Sequence, residues 1–129
     1  MIDFSYFRKM KASDLRIGNF VKHKQGQEII EKVDESWLVS EMTRLIEQTY
    51  EPIPITEEWL LKFGFKAIVG KKLWFTIPMT KGIQLDYDNG TFHLSGHGIH
   101  ITFIASIQHV HTLQNFYFEN TAKELRLAD

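Results

Sequence analysis

The sequence predicts an α+β fold: an N-terminal antiparallel β-meander of the size found in SH3-like barrels, a short helix, and a C-terminal antiparallel sheet covered by one helix. Three observations carry this reading. Short runs with period-two apolar alternation recur between turn residues in both halves of the chain. Asn89–Gly90 stands between two such runs, where a type I′ turn needs positive φ at both central residues. Ile107, Val110, Gln114 and Tyr117, with Leu113 and Phe118 beside them, repeat at helical spacing.

The elements follow in order. "IGNFVKH" (Ile17–His23) sets Ile17, Asn19 and Val21 against Gly18, Phe20 and Lys22, and "KQGQ" turns at Gly26. "EIIEKV" (Glu28–Val33) and "SWLVSEM" (Ser36–Met42) complete the meander. Pro52 and Pro54 hold Glu51 and Ile53 out of helical conformation. Thr56 then caps a helix with Glu57 and Glu58 in its first turn, Trp59, Leu60 and Phe63 as core residues, and Gly64 as its stop. "FKAIV" (Phe65–Val69), "KLWFTI" (Lys72–Ile77) and "GIQLDY" (Gly82–Tyr87) read as strands, with turns at Gly70 and Pro78–Lys81. Ser106 is the expected N-cap of a helix over Ile107–Asn120, and "ELRL" (Glu124–Leu127) a short last strand.

The length, 129 residues, suits one domain. Within it the expected parts are an extension at 1–11, the meander at 12–42, a Pro-bounded linker and helix at 43–64, and sheet plus helix at 65–127. With no cysteine, disulfides, zinc–thiolate centres and cysteine nucleophiles are excluded. No run of about 18 apolar residues is present, so no membrane-spanning helix is expected. "MIDFSYFRKM" also lacks an apolar stretch of signal-peptide length. A cytoplasmic location fits both observations and the missing cysteines.

A net charge of −1 gives no global pull toward nucleic acid or an anionic membrane. The charge is nevertheless blocked: +4 over residues 1–26, −7 over 27–60, +5 over 61–84 and −3 over 85–129. Phe4, Tyr6 and Phe7 beside Arg8, Lys9 and Lys11 form an aromatic–basic stretch. Such residues can stack on bases and hold phosphates, or pack onto the domain. If they meet Lys62, Lys66, Lys71 and Lys72, two positive blocks merge into one anion-attracting surface.

"GTFHLSGHGIH" (Gly90–His100) holds three of the six histidines. With Asn89 and Gly90 as the turn, Tyr87 faces Phe92 and Asp86 faces His93. With "SGHG" (Ser95–Gly98) as a four-residue loop, Leu94 faces Ile99 and His93 faces His100. One face then carries Leu85, Tyr87, Phe92, Leu94, Ile99, Ile101 and Phe103. The other, wet face carries Asp86, Asp88, Thr91, His93, His100 and Thr102. The row Asp86, His93 and His100 reads first as polar residues where alternation calls for them, and second as a carboxylate–His–His metal cluster. Metal sites want three or four converging ligands and supporting contacts, so no metal and no cofactor are expected. His97 reads as an exposed loop residue, and His109 and His111 as pointing to different sides of a helix. There is no "GxSxG", no "HExxH" and no Gly-rich phosphate loop.

Three stretches resemble a family of small uncharacterised proteins encoded by phages and mobile elements of gut anaerobes. They are "DLRIGNFV" (Asp14–Val21), "YEPIPITEEWLLKFGF" (Tyr50–Phe65) and "IQHVHTLQNFYFENTAKELRL" (Ile107–Leu127). Family members show a similar "LRIGN" opening, a "PIPLTEEWL…FGF" middle and a "YVHQLQNLYFALTGEEL" close. This chain departs from that pattern at Ala122, where the family often has a C-cap glycine. The family has no assigned catalytic residue, so the resemblance implies context alone: an accessory protein in a bacterial host cytoplasm. The expected function is therefore non-enzymatic binding of a host or phage protein, a small nucleotide signal or nucleic acid, as in inhibition of host defence. Phe4, Tyr6, Phe7, Arg8, Lys9, Lys11, Lys71 and Lys72 are the candidate binding residues, and a homo-oligomer is compatible with the pattern. The alternative is a metal-dependent enzyme using Asp86, His93 and His100.

Overall fold

A computed structural model describes residues 14–24, 30–34, 46, 47, 49–96 and 102–128. The expected strand Ser36–Met42, the turn at Gly26 and the aromatic–basic stretch Phe4–Lys11 lie outside the described residues. The chain forms two compact units, residues 1–54 with 109–115, and residues 55–108 with 116–129. Among the described residues the architecture is α+β, with a three-stranded and a five-stranded antiparallel sheet and two helices of six and twelve residues. Neither helix is long and apolar enough to cross a membrane.

In the first unit, β1 (Phe20–His23) is the middle strand. It pairs with β2 (Ile30–Lys32) through Val21 opposite Glu31, and with β3 (Tyr50–Glu51) through Lys22 opposite Glu51. The third strand of this sheet thus comes from just before Pro52. Lys22 and Glu51 also form an ion pair at 3.3 Å. Leu15, Val21, Val33 and Ile46 make the core, with Tyr50 packed against it. Ile46, Glu47 and Thr49 are helical, a turn of structure inside the expected linker.

The last helix, α2 (Val110–Thr121), contributes its first six residues to this unit. It starts three residues later than the apolar spacing suggests. His109 bridges Pro54, and Val110 N donates to Ile53 O at 2.9 Å, so the backbone before Val110 is committed to pairing with the proline segment. His109 is consequently the cap: Leu113 N donates to its carbonyl, and its own N–H donates to Thr112 Oγ1 at 2.9 Å. Ser106 lies in a turn upstream.

The second unit opens with α1 (Glu57–Lys62). Thr56 caps it as expected, its hydroxyl accepting from Trp59 N at 3.3 Å, and Gly64 ends it at φ +93°. Leu60 and Phe63 are buried, whereas Trp59 is half-exposed, with Lys62 Nζ 5.2 Å from its ring centre. Five antiparallel strands follow in sequence order: β4 (Lys66–Ala67), β5 (Trp74–Thr80), β6 (Ile83–Asp88), β7 (Thr91–Gly96) and β8 (Thr102–Phe103). Asn89 and Gly90 have φ +48° and +105°, and Tyr87 lies opposite Phe92, as the hairpin reading requires.

The preceding turn falls on Lys81–Gly82 rather than Pro78–Lys81. Pro78 stays inside β5 because β4 pairs only with Phe75 and Thr76. The side of β5 that would need a proline N–H therefore has no partner strand there. "ELRL" forms no strand; Leu125 is buried in irregular chain, and Ala128 N donates to Lys62 O. α2 ends at Thr121, followed by Ala122 in the left-handed region at φ +60°, its N–H donating to Phe118 O at 2.8 Å.

Candidate functional site

One cross-strand row runs the full width of the five-stranded sheet. Lys66 faces Thr76, Thr76 faces Asp86, Asp86 faces His93, and His93 faces Phe103. Directly opposed residues point to the same face, so all five side chains share one side. The opposite side carries Phe75, Ile77, Leu85, Tyr87 and Phe92. Phe75, Tyr87 and Phe92 pack ring against ring there, at 6.3 and 5.1 Å between centres.

Two expectations about this row are corrected. The face is not wet at its centre: Asp86 and His93 are each only 3% exposed. The register of β8 also differs. Leu94 faces Thr102, not Ile99, and His93 faces Phe103, not His100. The pairing is offset by three residues from the four-residue-loop reading. An odd offset exchanges the faces, which puts Phe103 beside His93 and Thr102 on the apolar side. His97, Ile99, His100 and Ile101 lie outside the described residues.

Asp86 and His93 meet directly. His93 Nε2 is 3.4 Å from Asp86 Oδ2, and the same oxygen accepts from Ser95 Oγ at 2.5 Å. The contact sets one carboxylate oxygen against one ring nitrogen of His93 and leaves Nδ1 on the other side of the ring. Trp74 from β5 and Phe103 from β8 approach the His93 ring edge-on, with centres at 5.6 and 6.0 Å. Phe103 is itself 70% exposed. Among the described residues, three buried polar atoms in this row have no hydrogen-bond partner: Thr76 Oγ1, Asp86 Oδ1 and His93 Nδ1. Each such atom costs about 1–3 kcal/mol when left unsatisfied, so three together call for an explanation. Among the described residues no three His, Asp or Glu side chains converge as a metal site would require.

Thr76, Ser95 and the flanking aromatics were not legible from spacing. Continuing the pairing of Thr80 with Ile83 would set Ile77 opposite Asp86. The register shift between Pro78 and Thr80 sets Thr76 there instead. One inserted residue thereby converts an apolar neighbour into a hydroxyl.

A second surface is the turn between β4 and β5. Lys71 and Lys72 are exposed, Val69 is 98% exposed and Leu73 47%. Lys71 Nζ stands 5.6 Å from the Trp74 ring centre. Leu73 holds φ +56°, a conformation unfavourable for a bulky side chain. Ile68 N to Trp74 O and Asn89 N to Leu73 O, each 3.0 Å, fix the turn in place. Of the expected binding residues, only Lys71 and Lys72 are described.

The histidines of the last helix also depart from expectation. His109 and His111 do not diverge; their rings stack at 5.9 Å and 6°. His109 precedes the helix, so helical spacing does not govern it. His111 is buried, with Nδ1 unpartnered, and burial pushes its pKa down to about 4, with the charge of His109 adding to the shift and Asp14 opposing it.

Comparison of the chain with protein-family models, curated proteins and solved structures finds no match.

Proposed function

We propose that this chain is a non-enzymatic binding protein, a phage or mobile-element accessory protein of the bacterial host cytoplasm. Its partner is a host or phage protein, or a phosphate-bearing ligand such as a nucleotide signal or nucleic acid. The observation that supports binding is the β4–β5 turn. Val69 and Leu73 expose apolar surface beside Lys71 and Lys72, and Lys71 stacks over Trp74. A half-exposed leucine held at positive φ is a costly backbone state, and such outliers cluster where a surface has a task. Lys71 and Lys72 are adjacent and exposed in that turn and give it two positive charges side by side. The resemblance in "LRIGN" and the "PIPITEEWL…FGF" stretch supports the phage context, within which inhibition of host defence is one role such binding would serve. Phe4, Tyr6, Phe7, Arg8, Lys9 and Lys11 are proposed as binding residues as well, and their contribution is tested by deleting residues 1–11.

The experiment is capture from host lysate with identification of bound proteins and small molecules. Wild type is compared with a Lys71→Glu, Lys72→Glu variant and with the deletion. A phosphate-bearing partner is lost in the charge-reversed variant and released steeply by salt. A protein partner anchored on Val69, Leu73 and Trp74 responds less to salt. Identical capture by all three proteins overturns the reading.

A metal-dependent enzyme built on Asp86, His93 and His100 is the second reading. The carboxylate-held imidazole of His93 favours it. Stoichiometric zinc in tag-free protein, lost in His93→Ala, would promote it over the first.

A further inference from the structure

We infer that β8 is a self-association edge, through which two copies of the chain pair antiparallel at Phe103 and join their five-stranded sheets. β8 ends the sheet, and among the described residues no strand lies on its outer side. The alternation of the ladder decides which backbone groups look outward. Ile104 N donates to Phe92 O at 2.9 Å, so these opposed residues form a hydrogen-bonded pair. His93 and Phe103, one position along each strand, are then a pair without bonds between them. The preceding hairpin gives the same parity. Counted from its two-residue turn, Asp88 with Thr91 and Asp86 with His93 are the bonded pairs, so the His93 backbone is turned to β6. Phe103 N–H and C=O therefore point to the open edge, beside a ring on a residue that is 70% exposed.

The two edges of this sheet differ in their defences. At the first, β4 carries Lys66, and the part of β5 beyond it holds Pro78 and the register shift before Thr80. Lysine, proline and bulges are what keep other strands off an edge. β8 and the residues after it, "TFIAS" (Thr102–Ser106), hold no lysine, no proline and no charge. The same residues fit this edge to its own copy. A two-fold axis through Phe103 makes its N–H and C=O donor and acceptor to the same groups of the partner's Phe103. It also sets Thr102 against the partner's Ile104. Aromatic and β-branched pairs of this kind favour strand contact, and no like charges are opposed. The pairing is short, so the dimer is weak, with a Kd of about 0.1–1 mM. The edge uses none of the residues of the β4–β5 turn, so it stands independently of the partner proposed for that turn.

The test is backbone amide exchange of the full-length, 15N-labelled chain from about 20 μM to about 1 mM, with translational diffusion measured on the same samples. At the top of the series the Phe103 N–H should exchange at least about twofold more slowly, while diffusion slows toward that of a dimer. The Ile104 N–H, bonded within the sheet, should not respond to concentration. Added salt should leave the association unchanged, because no charge takes part in it. Phe103→Lys sets like charges against each other across the axis and should abolish the concentration dependence. If Phe103→Lys does not fold, the wild-type series decides the matter. A chain that stays monomeric at about 1 mM would overturn the inference. Association that leaves Phe103 N–H exchange unchanged, or that persists in folded Phe103→Lys, would do the same. So would a host protein held by the wild type and lost in Phe103→Lys while the free chain stays monomeric, since the edge would then take a foreign strand.

Discussion

The side-chain amide of Gln114 closes the backbone around Phe20: its Oε1 accepts from Phe20 N at 2.9 Å, while its Nε2 donates to Gly18 O at 2.9 Å. Gln114 is 1% exposed. A polar residue thus occupies a core position of the last helix because it completes the ladder at the start of β1. Asn115 continues the arrangement, accepting from Arg16 Nε and Asn19 Nδ2 and donating to Asp14 O. Gln114→Leu keeps the volume but leaves the half-buried Phe20 N–H and Gly18 C=O without this partner. It should lower stability by about 2–4 kcal/mol, read as a fall in the urea midpoint at unchanged m. An unchanged midpoint would mean that the helix does not hold the strand.

Ala122 sits at φ +60° immediately after α2, where glycine is the unstrained residue. Ala122→Gly should therefore raise stability by about 1 kcal/mol, the reverse of the usual effect of glycine. A lower midpoint would show that the left-handed conformation is not the one populated in solution.

Leu60 and Trp59 separate two meanings of an apolar residue in a short helix. Leu60 is fully buried; Trp59 is half-exposed with Lys62 over its ring. Leu60→Ala should cost about 2–5 kcal/mol, and Trp59→Ala clearly less than the roughly 3–5 kcal/mol of a buried aromatic. Chemical denaturation of the two variants side by side checks the order. Equal losses would place Trp59 in the core after all.

Local chemistry was legible in the sequence and non-local register was not. The Thr56 cap, the stop at Gly64 and the Asn89–Gly90 turn each depend on a few adjacent residues, and each forms as read. The pairing of Asp86 with His93 followed from that turn. The next strand did not, because the β7–β8 connection fixes register through its length, and an offset of three exchanged Phe103 for His100. The irregularity between Pro78 and Thr80 likewise brought Thr76 to Asp86 without any compositional sign. The late start of α2 depended on Pro54, more than fifty positions upstream. Alternation also could not reveal that the polar face is buried at its centre, since spacing records which side a residue faces and not what lies above it.

His111 makes stability depend on pH in a window set by its own shift. Its folded pKa lies at about 4, below the ordinary 6.5, chiefly because burial disfavours the imidazolium and secondarily because the stacked His109 repels a second charge. Between those two values the unfolded chain binds the proton and the folded chain does not. Stability from this group is therefore complete above pH 6.5 and is lost as pH falls toward 4. The full shift corresponds to about 3 kcal/mol. Urea midpoints measured from pH 7.5 to pH 4 should fall for the wild type. In His111→Gln, which keeps a polar side chain but carries no titrating group, the same series should be flatter across that window, although the variant starts lower for lost packing. Direct titration of the ring by NMR gives the independent check: the His111 imidazole should remain neutral at pH 5.5, where an exposed histidine is mostly charged. A His111 midpoint near 6.5 would show that the ring is solvated, and that the pH dependence arises from other groups.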